Sequence, residues 1–266
     1  MIKLAASDID GTLVPEGTNE LNEDIYGVIR RLQEKGILFA AASGRHYSSM
    51  RYLFDAIAED IYFITENGSC VLKNEEIVSV TYIPPETAEA MVRYLRSLGV
   101  TEIILSTPEK LYTESPSEEF LKGLRSLHIQ TEAVPDLIPY CRKTNKIAIY
   151  QQEAPEKLEK ELQERFGDTL NVVKAGTFWI DCMDRAADKG IALRALQEKL
   201  GITMEETMAF GDNCNDIGMI KQAGESYAVA NAHPALKAAA KYEAPSYQED
   251  GVLRTLKEKL LAENDK

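Results

Sequence analysis

Leu4-Ala5-Ala6-Ser7-Asp8-Ile9-Asp10-Gly11-Thr12-Leu13 is the stretch that decides the fold. Its first half is a short, mostly apolar run, and such a run predicts a buried strand. It ends in two carboxylates and a glycine. The strand holds Asp8 rigidly, and Gly11 lets the backbone turn away at once. A chain built this way presents a carboxylate at the carboxyl edge of a sheet, where open α/β folds keep their sites. Asp and Gly are also ordinary turn residues, so the alternative reading of the segment in isolation is a plain strand followed by a polar turn.

Outward from this stretch, strands and helices alternate. Ile25, Val28, Ile29 and Leu32 recur at helical spacing behind Asn22, a candidate N-cap. A second apolar strand, Ile37 to Ala42, runs into Ser43-Gly44-Arg45. A helix over 47–57 and a strand at Ile61–Ile64 follow, then Glu66-Asn67-Gly68 and a hairpin around Lys73-Asn74-Glu75. After Pro84-Pro85 the pattern becomes less regular, with prolines at 108, 116, 135 and 139. Closely spaced strands at 146–150, 170–173 and 178–181 suggest a mixed or antiparallel sheet there. From Asp188 the βα rhythm returns: a helix through Leu193 and Leu196, a strand at Thr207–Phe210, and a last strand at Tyr227–Ala230. The expected architecture is α/β: a Rossmann-like, doubly wound parallel sheet core with an inserted α+β domain. Residues 1–82 and 185–266 form the core in this reading, and residues 83–184 form the insert.

The 266 residues include 44% hydrophobic and 27% charged, enough apolar material for a sizeable core. No run approaches the roughly 20 apolar residues that span a bilayer. No basic, apolar and cleavage regions precede the first strand, so a signal peptide is not expected. Four scattered cysteines without a CxxC pair, and three histidines, argue against a structural zinc site or a disulfide framework. A reducing cytoplasm is the expected compartment. The formal net charge of −13 repels nucleic acid and anionic membranes, so neither is an expected partner. This charge does not exclude a small anionic substrate, because a pocket can be locally positive. The expected assembly is a monomer or homodimer.

Four polar segments fall at strand or helix ends: Asp8-Ile9-Asp10-Gly11, Ser43-Gly44-Arg45, Asp188-Lys189-Gly190 and Gly211-Asp212-Asn213-Cys214-Asn215-Asp216. Alone, Ser43-Gly44-Arg45 reads as a capping turn and Lys189 as a solvated helix residue, while the Gly211–Asp216 run is a stronger signal, two acids and two amides crowding the end of an apolar strand. In a parallel sheet the carboxyl ends share one edge, so the four could converge. Carboxylates gathered there with Lys189 would make an oxygen-rich site for a hard cation such as Mg²⁺ beside a bound anion. A calcium-binding loop starting at Asp8 fails, with Leu13 where the glycine belongs and Asn19 where the glutamate belongs. No GxxxxGK[ST] is present, which excludes a P-loop.

In this order and placement the segments resemble the four motifs of the haloacid dehalogenase-like (HAD) hydrolases. Asp8 to Leu13 is similar to the first motif, Ser43-Gly44-Arg45 to the second, Lys189 to the third, and Gly211 to Asp216 to the GDxxND form of the fourth. An insert between the second motif and the lysine resembles the C2-capped, Cof-type phosphatases, and Asn67-Gly68 resembles a recurrent turn of that subgroup. The chain departs at Asp184-Arg185-Ala186-Ala187, where many relatives carry a Pro or Gly-Val stretch. The resemblance implies Mg²⁺-dependent hydrolysis of small phosphomonoesters, such as sugar phosphates, through an aspartyl-phosphate. Asp8 would be the nucleophile and Asp10 the acid and base. Asp8, the Asp10 main-chain carbonyl and Asp212 would hold the metal, with Asp216 supporting it. Ser43, Gly44, Lys189 and Asn215 would bind the phosphate. A carboxylate nearing a phosphate dianion at about 3.5 Å meets roughly 10 kcal/mol of repulsion at an effective dielectric of 20, so positive charge is required. Asp10 must hold a proton when the ester bond breaks, which calls for reduced solvent access and negative neighbours. Arg45 could reach the phosphate or make a structural ion pair, and Cys214 reads as a packing residue. The insert is expected to act as a cap, with Tyr112, Arg142, Lys143 and Thr177 in loops that could bear on specificity. Other readings are a phosphomutase or phosphotransferase on the same core, and a phospho-accepting signalling domain.

Overall fold

The computed structural model describes residues 1–126, 129 and 131–262. Within it the chain forms two compact units, Met1–Ser79 with Asp188–Lys266, and Val80–Ala187. The joins fall at 79/80 and 187/188, against 82/83 and 184/185 read from the sequence.

The chain enters the first unit through β1 (Leu4–Asp8), α1 (Asp24–Glu34), β2 (Leu38–Ala42), α2 (Tyr47–Leu53), β3 (Tyr62–Thr65), β4 (Cys70–Lys73) and β5 (Glu76–Val80). All five residues of β1 are buried. Successive strand side chains point to opposite faces, so both faces of the sheet are covered, as a doubly wound parallel sheet requires. In α1, Ile25, Val28, Ile29 and Leu32 are the buried positions, one stripe of a 3.6-residue period. Asn22 sits one residue outside the N-cap, Glu23, and its Oδ1 accepts from the Asp24 N–H at 3.0 Å. The helix expected over 47–57 stops at Leu53 and passes into a 3₁₀ turn, Asp55–Ile57.

The second unit carries α3 (Pro85–Ser97), β6 (Ile103–Ser106), β7 (Leu111–Thr113), α4 (Glu118–Ser126), β8 (Thr131–Ala133), β9 (Lys146–Tyr150), α5 (Pro155–Phe166), β10 (Leu170–Ala175) and β11 (Trp179–Asp184). Its sheet runs β10-β11-β9-β6-β7-β8, antiparallel apart from the β7–β8 pair. On one face Ile103, Leu105, Ile147, Ile149, Ile180 and Cys182 join Met91 and Leu95 of α3 in a common core. The other face holds Ile104, Ala148, Phe120 and Leu124, together with a buried ion pair between Lys146 and Asp181 at 3.1 Å. Tyr112 lies in β7, stacked on Tyr140 with centroids 4.0 Å apart, rather than in a loop. Arg142 and Lys143 end a 3₁₀ segment, and Thr177 lies on the β10–β11 turn; all three are exposed.

The chain returns to the first unit through α6 (Lys189–Leu200), β12 (Thr207–Gly211), α7 (Ile217–Lys221), β13 (Glu225–Val229), α8 (Pro234–Ala239), β14 (Tyr242–Ala244) and α9 (Gly251–Leu256). Tyr227–Ala230 was expected to be the last strand, but β14 pairs parallel with β13 beyond it. Among the described residues the sheet order is β14-β13-β12-β1-β2-β3-β4-β5, parallel from β14 to β3 and turning antiparallel at β4. From β1 the chain winds through β2 and β3 to one side, and from β12 through β13 and β14 to the other. The β1/β12 boundary is therefore the topological switch point, the place where open α/β sheets leave a crevice. No helix among the described residues is long and apolar enough to cross a membrane.

Candidate active site

Asp8 is the last residue of β1, beside the carboxyl end of β12. Asp212 follows β12 at once, and Asp216 closes a 3₁₀ turn, Cys214–Asp216. One carboxylate oxygen from each of Asp8, Asp212 and Asp216 lies within 4.8 Å of the others. The register of neighbouring parallel strands thus gathers acids more than two hundred residues apart in sequence.

Lys189 is the first residue of α6, whose N-cap Asp188 accepts from the N–H groups of Gly190 and Ile191. A lysine at a helix N-terminus opposes the helix dipole, and a fully buried one is also desolvated. Its Nζ donates to Asp8 Oδ1 at 2.5 Å and to Asp216 Oδ1 at 2.6 Å, and its side chain has no solvent exposure. Those two contacts explain why it lies inside. The other Asp216 oxygen accepts from the Asp212 and Asn213 N–H groups at 3.0 and 3.1 Å. Asp216 therefore anchors both the lysine and its own loop. Asp212 Oδ1 accepts from the Thr12 hydroxyl at 3.2 Å. Gly11 has φ +80, and a Cβ there would stand 2.4 Å from an Asp212 oxygen, so the turn after β1 leaves room for Asp212 only as glycine.

Asp10 is not part of this cluster. Its carboxylate accepts from Arg45 Nε at 2.9 Å, Arg45 NH2 at 2.6 Å, the Ser43 hydroxyl at 3.1 Å and the Gly17 N–H at 3.2 Å. The low access and negative neighbours anticipated for it are not what surrounds it: a quarter of its side chain is exposed and its nearest charge is a guanidinium. Arg45 makes the structural ion pair, fixed further by Asn19 and the Thr18 carbonyl. Cys214 is exposed rather than packed, with its sulfur 3.5 Å from His233 Nδ1. Asn215 is exposed too, and its Nδ2 donates to Asn67 Oδ1 at 3.0 Å.

Sequence reading passed over the part Asn67 plays. Glu66, Asn67 and Gly68 take φ values of 51, 55 and 92 in succession. For two non-glycine residues this costs on the order of 1 kcal/mol or more each. The Asn67 N–H donates to the Ser43 carbonyl and the Glu66 N–H to the Arg45 carbonyl, both at 3.0 Å. A Cβ on Gly68 would lie 2.4 Å from the Asp188 carbonyl carbon. One left-handed turn thus braces Ser43–Arg45, Asp188–Lys189 and Asn215. Its traces in the sequence are the Glu-Asn-Gly composition and the Asn67-Gly68 resemblance to a recurrent turn of the Cof-type subgroup.

The electrostatics of the cluster are unbalanced. Counted as formal charges, three carboxylates meet one ammonium, an excess of two negatives when all are ionised. Burial, and then the Asp216 charge, push Asp8 well above the usual carboxylate range, with Lys189 pulling the other way. The same causes push Asp212 up to about 6. Burial works against the Lys189 ammonium, but Asp216 and Asp8 outweigh it and raise its pKa. Among the described residues, Asp8 Oδ2 is buried and accepts no hydrogen bond. An all-oxygen donor set, an excess of two negative charges and an unused buried oxygen fit a hard divalent cation.

A carboxyl whose pKa is raised on folding stabilises the fold most below its unfolded value of about 3.9, and that contribution is lost as pH rises through the folded value. For Asp212 the loss runs through about pH 6 and is complete only well above it. A divalent cation on the same oxygens offsets the repulsion and competes with protons. Saturating Mg²⁺ should therefore raise the melting temperature by several degrees at about pH 7.5 and much less at about pH 5. An equal shift at both pH values in thermal melts would show that these carboxylates do not bind the ion.

A family model described as haloacid dehalogenase-like hydrolase matches residues 5–256. The chain is 32% identical over 254 residues to the 5-amino-6-(5-phospho-D-ribitylamino)uracil phosphatase YbjI of Escherichia coli K12, covering 95% of this chain and 94% of that protein. It is 30% identical to an HMP-PP phosphatase of Klebsiella pneumoniae, covering 90% and 88%. A crystal structure from Eubacterium rectale superposes with a TM-score of 0.88 at 33% identity over 97% of this chain and 98% of that one. The HAD subclass IIB sugar phosphatase BT4131 gives 0.76 at 26%, covering 96% and 98%. With four motif segments brought to one sheet edge and a family match along nearly its whole length, the chain belongs to the haloacid dehalogenase-like hydrolases.

Proposed function

We propose that the chain is a Mg²⁺-dependent phosphatase that hydrolyses small phosphomonoesters through an aspartyl-phosphate. The observation that carries this reading is the Asp8 carboxylate at the β1/β12 switch point, clustered with Asp212 and Asp216, one oxygen on Lys189 and the other buried and, among the described residues, accepting no hydrogen bond. The phosphatase names of the relatives and their small phosphorylated substrates support it.

Asp8 attacks phosphorus in line, and the bond to the leaving oxygen breaks as the aspartyl bond forms. Asp10 delivers a proton to that oxygen, then takes one from the water that opens the aspartyl-phosphate. In the arrangement described here Asp10 is an acceptor, with Arg45, Ser43 and Gly17 all donating to it, which suits the second half of the cycle. Donating a proton requires it to loosen its hold on Arg45. Lys189 stays charged and offsets phosphoryl charge throughout. Ser43, the Gly44 N–H and Asn215 supply further donors that can tighten on the transition state. Asp8, Asp212 and the Asp10 main-chain carbonyl, supported by Asp216, would hold Mg²⁺, which supplies the positive charge that lets a carboxylate approach a phosphate dianion. The Val80–Ala187 unit is read as the part that selects the leaving group.

A panel of phosphorylated metabolites incubated with the protein and Mg²⁺ should release inorganic phosphate, and EDTA should stop the release. Isomerised sugar phosphate without free phosphate would replace this reading with a mutase, and a long-lived phosphoprotein without turnover would replace it with a signalling domain.

A further inference from the structure

We propose that Asn67 is a positioning residue of the phosphate site, acting through Asn215 and through the space above Gly44. The inference rests on the phosphatase reading for the identity of the anion.

The backbone at position 67 is left-handed, with φ 55 and ψ 30, and glycine would adopt it at lower cost. The asparagine side chain adds what glycine cannot. Its Oδ1 accepts from Asn215 Nδ2 at 3.0 Å, which fixes which way the Asn215 carboxamide faces. Asn215 is otherwise an exposed amide in the middle of a short turn, with rotamer freedom to lose before it can grip an anion. The Asn67 carboxamide also lies over Gly44: a Cβ there would stand 3.1 Å from Nδ2 and 3.2 Å from Oδ1. The carboxamide therefore leaves little room for a side chain at position 44 and packs the two loops against each other. The turn is tied down by the Asn67 N–H on the Ser43 carbonyl. Two phosphate-binding segments, from opposite ends of the chain, are locked to each other through one side chain.

The test is a double-mutant cycle read by calorimetric binding of inorganic phosphate in the presence of Mg²⁺, and by kcat/KM on an aryl phosphate. Asn67→Gly preserves the left-handed backbone, so the melting temperature should hold. Phosphate affinity and kcat/KM should fall about five- to tenfold, the scale of one well-placed hydrogen bond. Asn215→Ala should cost at least as much, and the double variant should be no worse than Asn215→Ala alone. Gly44→Ala should lose less in the Asn67→Gly background than in the parent chain. Additive losses at 67 and 215, or unchanged phosphate affinity in Asn67→Gly, would overturn the proposal. Calorimetry needs no turnover. A parent chain that binds phosphate through Asn67 and hydrolyses nothing would therefore sink the phosphatase reading alone, and an active parent with an indifferent Asn67 would sink this one alone.

Discussion

Asp8→Asn is expected to abolish turnover while leaving the fold at least as stable as the parent chain. The two effects have separate causes. Asparagine has no nucleophilic oxygen to offer phosphorus, so kcat should fall by at least about 10³-fold, the scale seen when a covalent nucleophile is removed. The fold is spared because Asp8 is one of three buried acids that repel each other around a single ammonium. Replacing it removes a charge that burial disfavours, and Lys189 keeps Asp216 as partner at 2.6 Å. Without divalent cation, the variant should melt at or above the parent temperature at about pH 7.5 and draw level at low pH, where the parent's acids are protonated too. The decisive assay pairs melting curves with acid-quenched single turnovers on a phosphomonoester. The parent should trap phosphate on the protein and the variant none. A variant retaining a tenth of parental activity, or one that still becomes phosphorylated, would rule out Asp8 as the nucleophile.

Why so much of this cluster was legible before any geometry comes down to where its residues sit. Asp8 and Asp212 each close a continuous apolar run, and a run of that kind in an alternating βα chain fixes both a buried strand and which end carries the site. Lys189 follows a capping aspartate at a helix start, which places it on the same edge. Side-chain partnership was less legible. Nothing in the spacing of Asp10 and Arg45 says that the guanidinium takes both carboxylate oxygens, because that choice depends on Asn19 and Thr18 meeting the same arginine. Asn67 was hidden because its role depends on three successive left-handed residues, a conformation that propensity argues against. β7, β8 and β14 are three residues each, too short for any period to rise above noise. The exposure of Cys214 follows from its 3₁₀ turn, which swings Asp216 inward and leaves positions 213 to 215 in solvent.

Lys189→Met should be the most destabilising substitution in the site, the reverse of Asp8→Asn. Methionine matches the length and flexibility of the lysine stem, so packing changes little. Charge changes a great deal. Asp8 and Asp216 are both almost wholly buried, and without the ammonium they face each other and Asp212 with no cation between them. Breaking a buried pair by removing one partner costs about 3–5 kcal/mol, and here one lysine serves two acids. The penalty has a definite pH sign. The loss of Lys189 raises the folded-state pKa of Asp8 further, so its cost is absent below the unfolded carboxyl value of about 3.9 and grows as pH rises through the folded value. Urea titrations should therefore show a large deficit at about pH 7.5 that shrinks toward about pH 4.5. Mg²⁺ should recover part of the stability at the higher pH, because it neutralises the same oxygens, yet it should not restore turnover, since the ammonium that offsets phosphoryl charge is gone. The double variant Asp8→Asn with Lys189→Met should be more stable than Lys189→Met alone, because one of the stranded charges has been removed. A Lys189→Met protein as stable as the parent at neutral pH would mean that the three carboxylates are not charged together. The cation site inferred from their excess charge would then lose its basis.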